Sequence, residues 1–163
     1  MVEISSIFSL ALPLGCIIAM YCDLTRFEIP NSLCIVVALA YLPFAILNET
    51  EWQDIGIHYL VGLAALGVGF LLFILGVFGG GDSKFIAAVI LWFDTGDILP
   101  FIFYTTIFGG LLAILFIGFR SLPLPKSWRA HAVIAKLHSK KSGLPYALAI
   151  GGGGLVIYPQ ILP

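Results

Sequence analysis

Leu71-Leu72-Phe73-Ile74-Leu75-Gly76-Val77-Phe78-Gly79-Gly80-Gly81-Asp82-Ser83-Lys84 runs from unbroken hydrocarbon into a glycine turn, then delivers an acid and a base. The apolar part closes a segment over 55–78, long enough as a helix to cross ~30 Å of hydrocarbon. A carboxylate beside hydrocarbon is costly unless it is paired, hydrated or working, so the position of Asp82 alone makes it a functional candidate. Three glycines ahead of it let the chain turn sharply and let another segment, or a substrate, come near. The competing reading is a membrane-edge turn whose aspartate merely caps the next helix.

Working outward, the 163 residues are 60% hydrophobic and 10% charged, with a mean hydropathy of +1.07. These values lie far from soluble-domain averages and identify an integral membrane protein. Apolar segments fall at 4–22, 31–47, 55–78, 85–93, 98–119 and 144–162. Continuous apolar runs exclude the alternation of barrel strands. The expected fold is therefore all-α, a bundle of six transmembrane helices forming one domain over 1–163. Glu3 stands where a removable signal peptide would carry basic residues, so the first segment is expected to stay. Cys16, Cys22 and Cys34 form no Cys-x-x-Cys pair and read as small packing residues, neither zinc ligands nor disulfide partners. Trp52, Trp92 and Tyr104 are expected near the outer interface and Trp128 near the inner one.

Charge orients the bundle. With the amino terminus outside, the connections 23–30, 79–84 and 120–143 are cytoplasmic and hold every cation: Arg26, Lys84, Arg120, Lys126, Arg129, Lys136, Lys140 and Lys141. The outer segments carry Glu3, Glu49, Glu51, Asp54, Asp94 and Asp97 instead, a complete positive-inside asymmetry. Both termini are then extracytoplasmic, in a multi-pass protein of the cytoplasmic (inner) membrane. From Asp82 to Asp94 is only about a dozen residues, ~18–20 Å of helix, which draws Asp82 inward from the surface. The long third segment pushes the other way, and a tilt or a break near Gly76 would reconcile the two. Asp82 is expected in a hydrated notch at the cytoplasmic boundary.

A second acid, Asp23, ends the first segment and is followed by Leu24-Thr25-Arg26-Phe27-Glu28-Ile29-Pro30-Asn31. Pro30 holds Ile29 toward extended geometry and suits the first turn of the next helix, which makes a short, defined hairpin. Asp23 could simply pair with Arg26. Yet it arrives on the same face as Asp82 and near the same depth. Two carboxylates close together cannot both ionise cheaply and tend to share a proton, which suits one as base and the other as acid in aspartic-protease chemistry. No metal or other cofactor is required. His58 lies toward the outer side and His131 and His138 lie in the basic loop, so no Ser/His or Cys/His arrangement competes.

Asp23 with Ile29-Pro30-Asn31, and Gly79-Gly80-Gly81-Asp82-Ser83-Lys84, resemble the two aspartate motifs of the type IV prepilin peptidases, to which archaeal preflagellin peptidases are related. Leu144-Pro145-Tyr146 is similar to a further family feature. The resemblance implies catalytic roles for Asp23 and Asp82 and site-shaping roles for Gly79, Gly81, Lys84 and Pro30. It also implies a membrane peptidase that removes the basic leader of prepilins or pseudopilins on the cytoplasmic face, just before their hydrophobic helix. Longer members carry a cytoplasmic insertion with two Cys-x-x-Cys pairs and N-methylate the new end. This chain resembles instead the compact type found with Flp or tight-adherence pili, so methylation is not expected.

Residues 126–141 place Ala130, Val133, Ile134 and Leu137 at helical spacing, with Arg129, Lys136 and Lys140 elsewhere on the wheel. They are expected to form an amphipathic helix on anionic lipid, before the last span. With a net charge of −1 and the basic stretch against a membrane, nucleic acid is not an expected partner. Glu28, the one remaining cytoplasmic acid, is a candidate for contacting the basic leader, against a plain pairing with Arg26 or Lys84 or contact with water alone. Gly151-Gly152-Gly153-Gly154 should let a neighbouring helix approach closely. The rival functions are a small ion- or proton-coupled transporter using the same aspartates, which finds little polar lining across the bilayer, and a silent secretion scaffold.

Overall fold

The computed structural model describes residues 2–129, 131–139 and 142–162, excluding the side chains of residues 2–4, 126 and 129. Among the described residues the chain is helical, with no strand. The helices are α1 (Val2–Ser9), α2 (Ala11–Arg26), α3 (Asn31–Leu47), α4 (Trp52–Ile74), α5 (Gly80–Ile90) and α6 (Thr95–Ser121), then α7 (Lys126–Arg129), α8 (Ala132–His138) and α9 (Ala147–Ile157), with a final 3-10 turn over Tyr158–Ile161. Three stretches, Ser5–Arg26, Trp52–Ile74 and Thr95–Ser121, are long and apolar enough to cross a membrane, while Asn31–Leu47 and Ala147–Ile161 are apolar but shorter.

The boundaries differ from the sequence reading where local chemistry intervenes. The first segment bends at Leu10, where Pro13 has no N–H to offer the Ser9 carbonyl, and then continues past residue 22 to Arg26. The third segment stops at Ile74, short of residue 78. Gly76 takes φ +71, Val77 N–H donates to Leu72 O (2.9 Å) and Gly76 N–H to Phe73 O (3.0 Å), a Schellman cap that ends the helix and turns the chain. Of the tilt or break that the sequence allowed, a break at Gly76 is present.

That cap delivers the chain to α5, which is the centre of the molecule. Its 11 residues make ~16 Å of helix, well under the ~30 Å thickness of hydrocarbon. α3, α4 and α9 pack around it, so that Phe85 and Val89 are fully enclosed and burial continues through Leu91, Trp92 and Phe93. Trp92 is enclosed by protein rather than open at the surface, being only 2% exposed. Its indole N–H donates to Val37 O at 3.1 Å and its ring meets Phe44 and Tyr41, and this satisfied donor is what permits burial. Beside it His58 stacks on Tyr41, donates Nδ1–H to Leu91 O (2.9 Å) and sits 3.5 Å from Asp94. These contacts fix the C-terminal end of α5. Trp52 and Trp128 are exposed.

α9 carries four consecutive glycines at its middle and is packed there by the side chains of its neighbours. A Cβ at Gly151 would lie 2.7 Å from Met20 Sδ, one at Gly154 3.1 Å from Cys16 Sγ, and one at Gly153 would collide with Thr105 Oγ1. The glycine run thus sets α9 between α2 and α6, as expected from the sequence. The outward surface is apolar: Leu60, Leu63, Phe70, Leu71, Ile114 and Ile117 are all exposed. An apolar surface of that extent belongs in lipid.

Candidate active site

Asp23 lies in the last turn of α2, where Phe27 adopts left-handed angles (φ 60, ψ 36) and its N–H caps Asp23 O at 2.9 Å. The chain then turns through Glu28 and buried Ile29 into Pro30. Pro30 stands one place before the helix rather than in its first turn: it is extended (φ −61, ψ 133), and its carbonyl accepts from Leu33 N–H at 3.1 Å. Its fixed φ and its missing donor suit that cap position as well. A Cβ at Gly81 would lie 3.4 Å from Ile29 Cβ, so the hairpin rests on the first turn of α5.

Asp82 occupies that first turn. Its carboxylate reaches back to the N–H of Gly79, one half of a capping box. The next residue ties the turn to α4, since Ser83 Oγ–H donates to Gly69 O at 2.8 Å and lies 3.1 Å from Gly79 O. Lys84 points elsewhere. Its Nζ donates to Asn31 Oδ1 at 2.9 Å, joining α5 to the start of α3 and lining a different groove.

Asp23 and Asp82 come together on one cavity of about 640 Å3, whose walls include Phe27, Phe78, Gly79, Gly143 and Tyr146. The charge of Asp23 is felt at Asp82. Asp23 is only 7% exposed, and its Oδ2 accepts a 2.9 Å hydrogen bond from the N–H of Ala147 at the start of α9. That donor would otherwise be one of the unbonded amides of a helix N-terminus. The close α2–α9 packing at Gly151 and Gly154 brings it there. Sequence reading missed this contact, because a backbone N–H leaves no residue signature; the only hint was Leu144-Pro145-Tyr146 ahead of the last helix. Among the described residues, no three His, Cys, Asp or Glu side chains are grouped to hold a metal.

The basic stretch forms the rim. It is two short helices, α7 and α8, with His131 extended (φ −83, ψ 114) before the second, and not the single amphipathic helix over 126–141. A lone helix of that length is marginal, and fixed contacts outweigh its propensity. Arg120 donates from Nε to Leu137 O (2.9 Å) and from Nη2 to Gly143 O (2.8 Å), while Lys136 donates to Arg26 O (3.0 Å) and covers the Phe27 ring. Ala130, Lys140 and Lys141, and the side chain of Arg129, lie outside the described residues. Glu28 is exposed on the hairpin, off the cavity wall, and among the described residues it forms no ion pair with Arg26 or Lys84.

A family model for the type IV leader peptidase family matches residues 10–114, a stretch that includes both aspartates. No curated protein and no solved structure matches the chain. Two acids on one cavity beside a glycine-capped short helix, in a chain whose matched region is well over half of its length, make this protein a member of the type IV leader peptidase family.

Proposed function

We propose that the protein is a membrane-embedded aspartic endopeptidase that removes the basic leader of a prepilin or pseudopilin, with Asp23 and Asp82 as its acid–base pair. The observation that carries this reading is the shared cavity, on which two carboxylates from distant parts of the sequence are each held by a backbone N–H, Ala147 for one and Gly79 for the other. Held so, the two side chains can bracket a water molecule and a peptide carbonyl.

With one proton shared between them, the ionised carboxylate removes a proton from water as the water oxygen attacks the carbonyl carbon. The neutral partner gives its proton to the carbonyl oxygen. Collapse of the tetrahedral intermediate breaks the C–N bond as a proton passes from the first carboxyl to the departing amine and a hydroxyl proton of the intermediate returns to the second carboxylate, which leaves the pair with its one proton and ready for another cycle. The positions of the two acids are fixed beforehand, so little reorganisation is needed at the moment of reaction. Purified protein mixed with a pilin precursor in detergent should shorten it at the junction between the basic leader and the apolar helix, read by mass spectrometry. A transporter or a scaffold would leave the precursor whole.

The same reading sets the chain in the cytoplasmic membrane as a single six-span domain, with both termini outside and the acid pair at the cytoplasmic face. The charge asymmetry of the connections supports it. On a cysteine-free background, Lys136→Cys should react with an impermeant maleimide only after the cells are opened. Labelling from outside would reverse the topology.

Glu28 is proposed to contact the basic leader. It is exposed on the hairpin five residues after Asp23, and Lys84, one of its two candidate partners, is engaged by Asn31. Glu28→Gln should then raise KM several-fold while kcat changes little, because such a contact is equal in ground and transition states. The difference should shrink with added salt and vanish on a precursor whose leader lysines are neutralised. Equal losses on both precursors would make Glu28 structural.

A further inference from the structure

Two apolar grooves open on the flank of the bundle. One, of about 620 Å3, is bounded by α3, α4 and α5 and has Lys84 and Asn31 among its lining residues; it shares no wall with the aspartate cavity. The other, of about 430 Å3, lies between α4 and α6, with Ile86 and Ile90 of α5 as its floor. Phe78 and Tyr146 line both this second groove and the aspartate cavity, and their rings pack at 5.6 Å where the two spaces meet.

We propose that the α4–α6 groove receives the apolar segment of the substrate that follows the scissile bond, and that Phe78 and Tyr146 form the passage from groove to carboxylates. This rests on the peptidase reading given above. A bond cut just ahead of a hydrophobic helix must lie at the cavity while the helix lies in hydrocarbon, so the residues between need a path from one to the other. The α4–α6 groove provides it. Its wall runs along α4 from Val61 to Leu72, ~16 Å or about three helical turns at 1.5 Å per residue. Ala64 and Ala65 on that wall are small, as helix–helix contacts in lipid require, and Ile102 faces them from α6.

A lipid is the poorer occupant. Among the described residues no charged side chain lines the α4–α6 groove, so a phosphate headgroup has nothing to hold it there. The α3–α5 groove, with Lys84, has such a cation.

The test places benzoylphenylalanine at Val68 or Ile102 in the proposed groove and, for comparison, at Ile35 or Leu63 in the other. Each protein is reconstituted with a pilin precursor in phosphatidylethanolamine–phosphatidylglycerol vesicles and irradiated. Adducts with the apolar segment of the precursor or its product should form from Val68 and Ile102 at least tenfold more than from Ile35 and Leu63. Ala64→Trp, which fills the groove away from the carboxylates, should raise KM for the same precursor about tenfold and leave kcat within about twofold. Equal adducts from both grooves, adducts to lipid alone, or an unchanged KM in Ala64→Trp would overturn the groove assignment while parental cleavage stood. A parent that cleaves no precursor would instead remove the peptidase reading, and the groove's occupant with it.

Discussion

Asp23→Asn and Asp82→Asn are each expected to lower kcat for precursor cleavage at least a thousandfold, which corresponds to roughly 4 kcal/mol of lost transition-state stabilisation. An amide can neither take the proton from water nor deliver one to the carbonyl oxygen. Proton transfer by a positioned side chain accounts for about 10²–10⁴-fold in rate, and a pair acting as a unit fails when either member fails. Folding should survive both changes. Asparagine keeps an oxygen to accept the N–H of Ala147 or of Gly79, and the bundle is held elsewhere, by the packing of α5 and the glycine face of α9. Initial rates on purified variants, with membrane yield and elution profile as controls, decide the matter. Near-parental activity in a well-folded variant would remove that aspartate from the mechanism.

Gly79→Ala should also be damaging, though less so and for a different reason. A Cβ built at Gly79 lies 2.6 Å from Asp82 Oδ2, closer than unbonded atoms approach. The backbone there is ordinary extended chain (φ −74, ψ 145), so alanine fits the main chain and the whole conflict falls on the carboxylate. Asp82 must swing away from its hydrogen bond with Gly79, and a displacement of about 1 Å in a positioned group is enough for ~10²-fold in rate. We expect kcat to fall by about that factor, with stability changed by about 1 kcal/mol or less. Gly76→Ala supplies the contrast. Its Cβ would meet open space, but φ is +71, so the cost is about 1 kcal/mol of backbone strain. Thermal unfolding in detergent should separate the two: one variant loses rate at near-parental Tm, the other loses Tm.

Several of these features were legible in the chain. Asp82 behind three glycines, the break at Gly76 and the close-packed run 151–154 all follow from residue types whose backbone or size admits few arrangements. The convergence of Asp23 on Asp82 followed from charge topology, because the connections that carry them also carry cations. What escaped was backbone chemistry and tertiary preference. The Ala147 N–H that holds Asp23 belongs to a residue with no polar side chain. The amphipathic ring of Trp92 gave no sign of its burial, which the Val37 carbonyl permits by satisfying its N–H inside the bundle. The basic stretch had a helical wheel, but His131 is extended and two short helices lie either side of it, the second held by Arg120 on the Leu137 carbonyl and by Lys136 on the Arg26 carbonyl. Periodicity records which face a helix would show, not whether its surroundings leave it whole.

The brevity of α5 bears on which proteins can be processed at all. Because Asp82 sits at the start of a helix of 11 residues that is anchored at its far end by Trp92 and His58, it cannot rise to meet a substrate. On the proposed peptidase reading, the substrate has to come down to it, past a rim tied by Arg120 and Lys136, into a space of about 640 Å3. A folded domain does not enter such a space, and a helix running through the scissile bond would hide the carbonyl in its own hydrogen bonds. Selection is then exercised on disorder as much as on sequence: a chain qualifies by being unstructured for a few residues just where it meets the membrane.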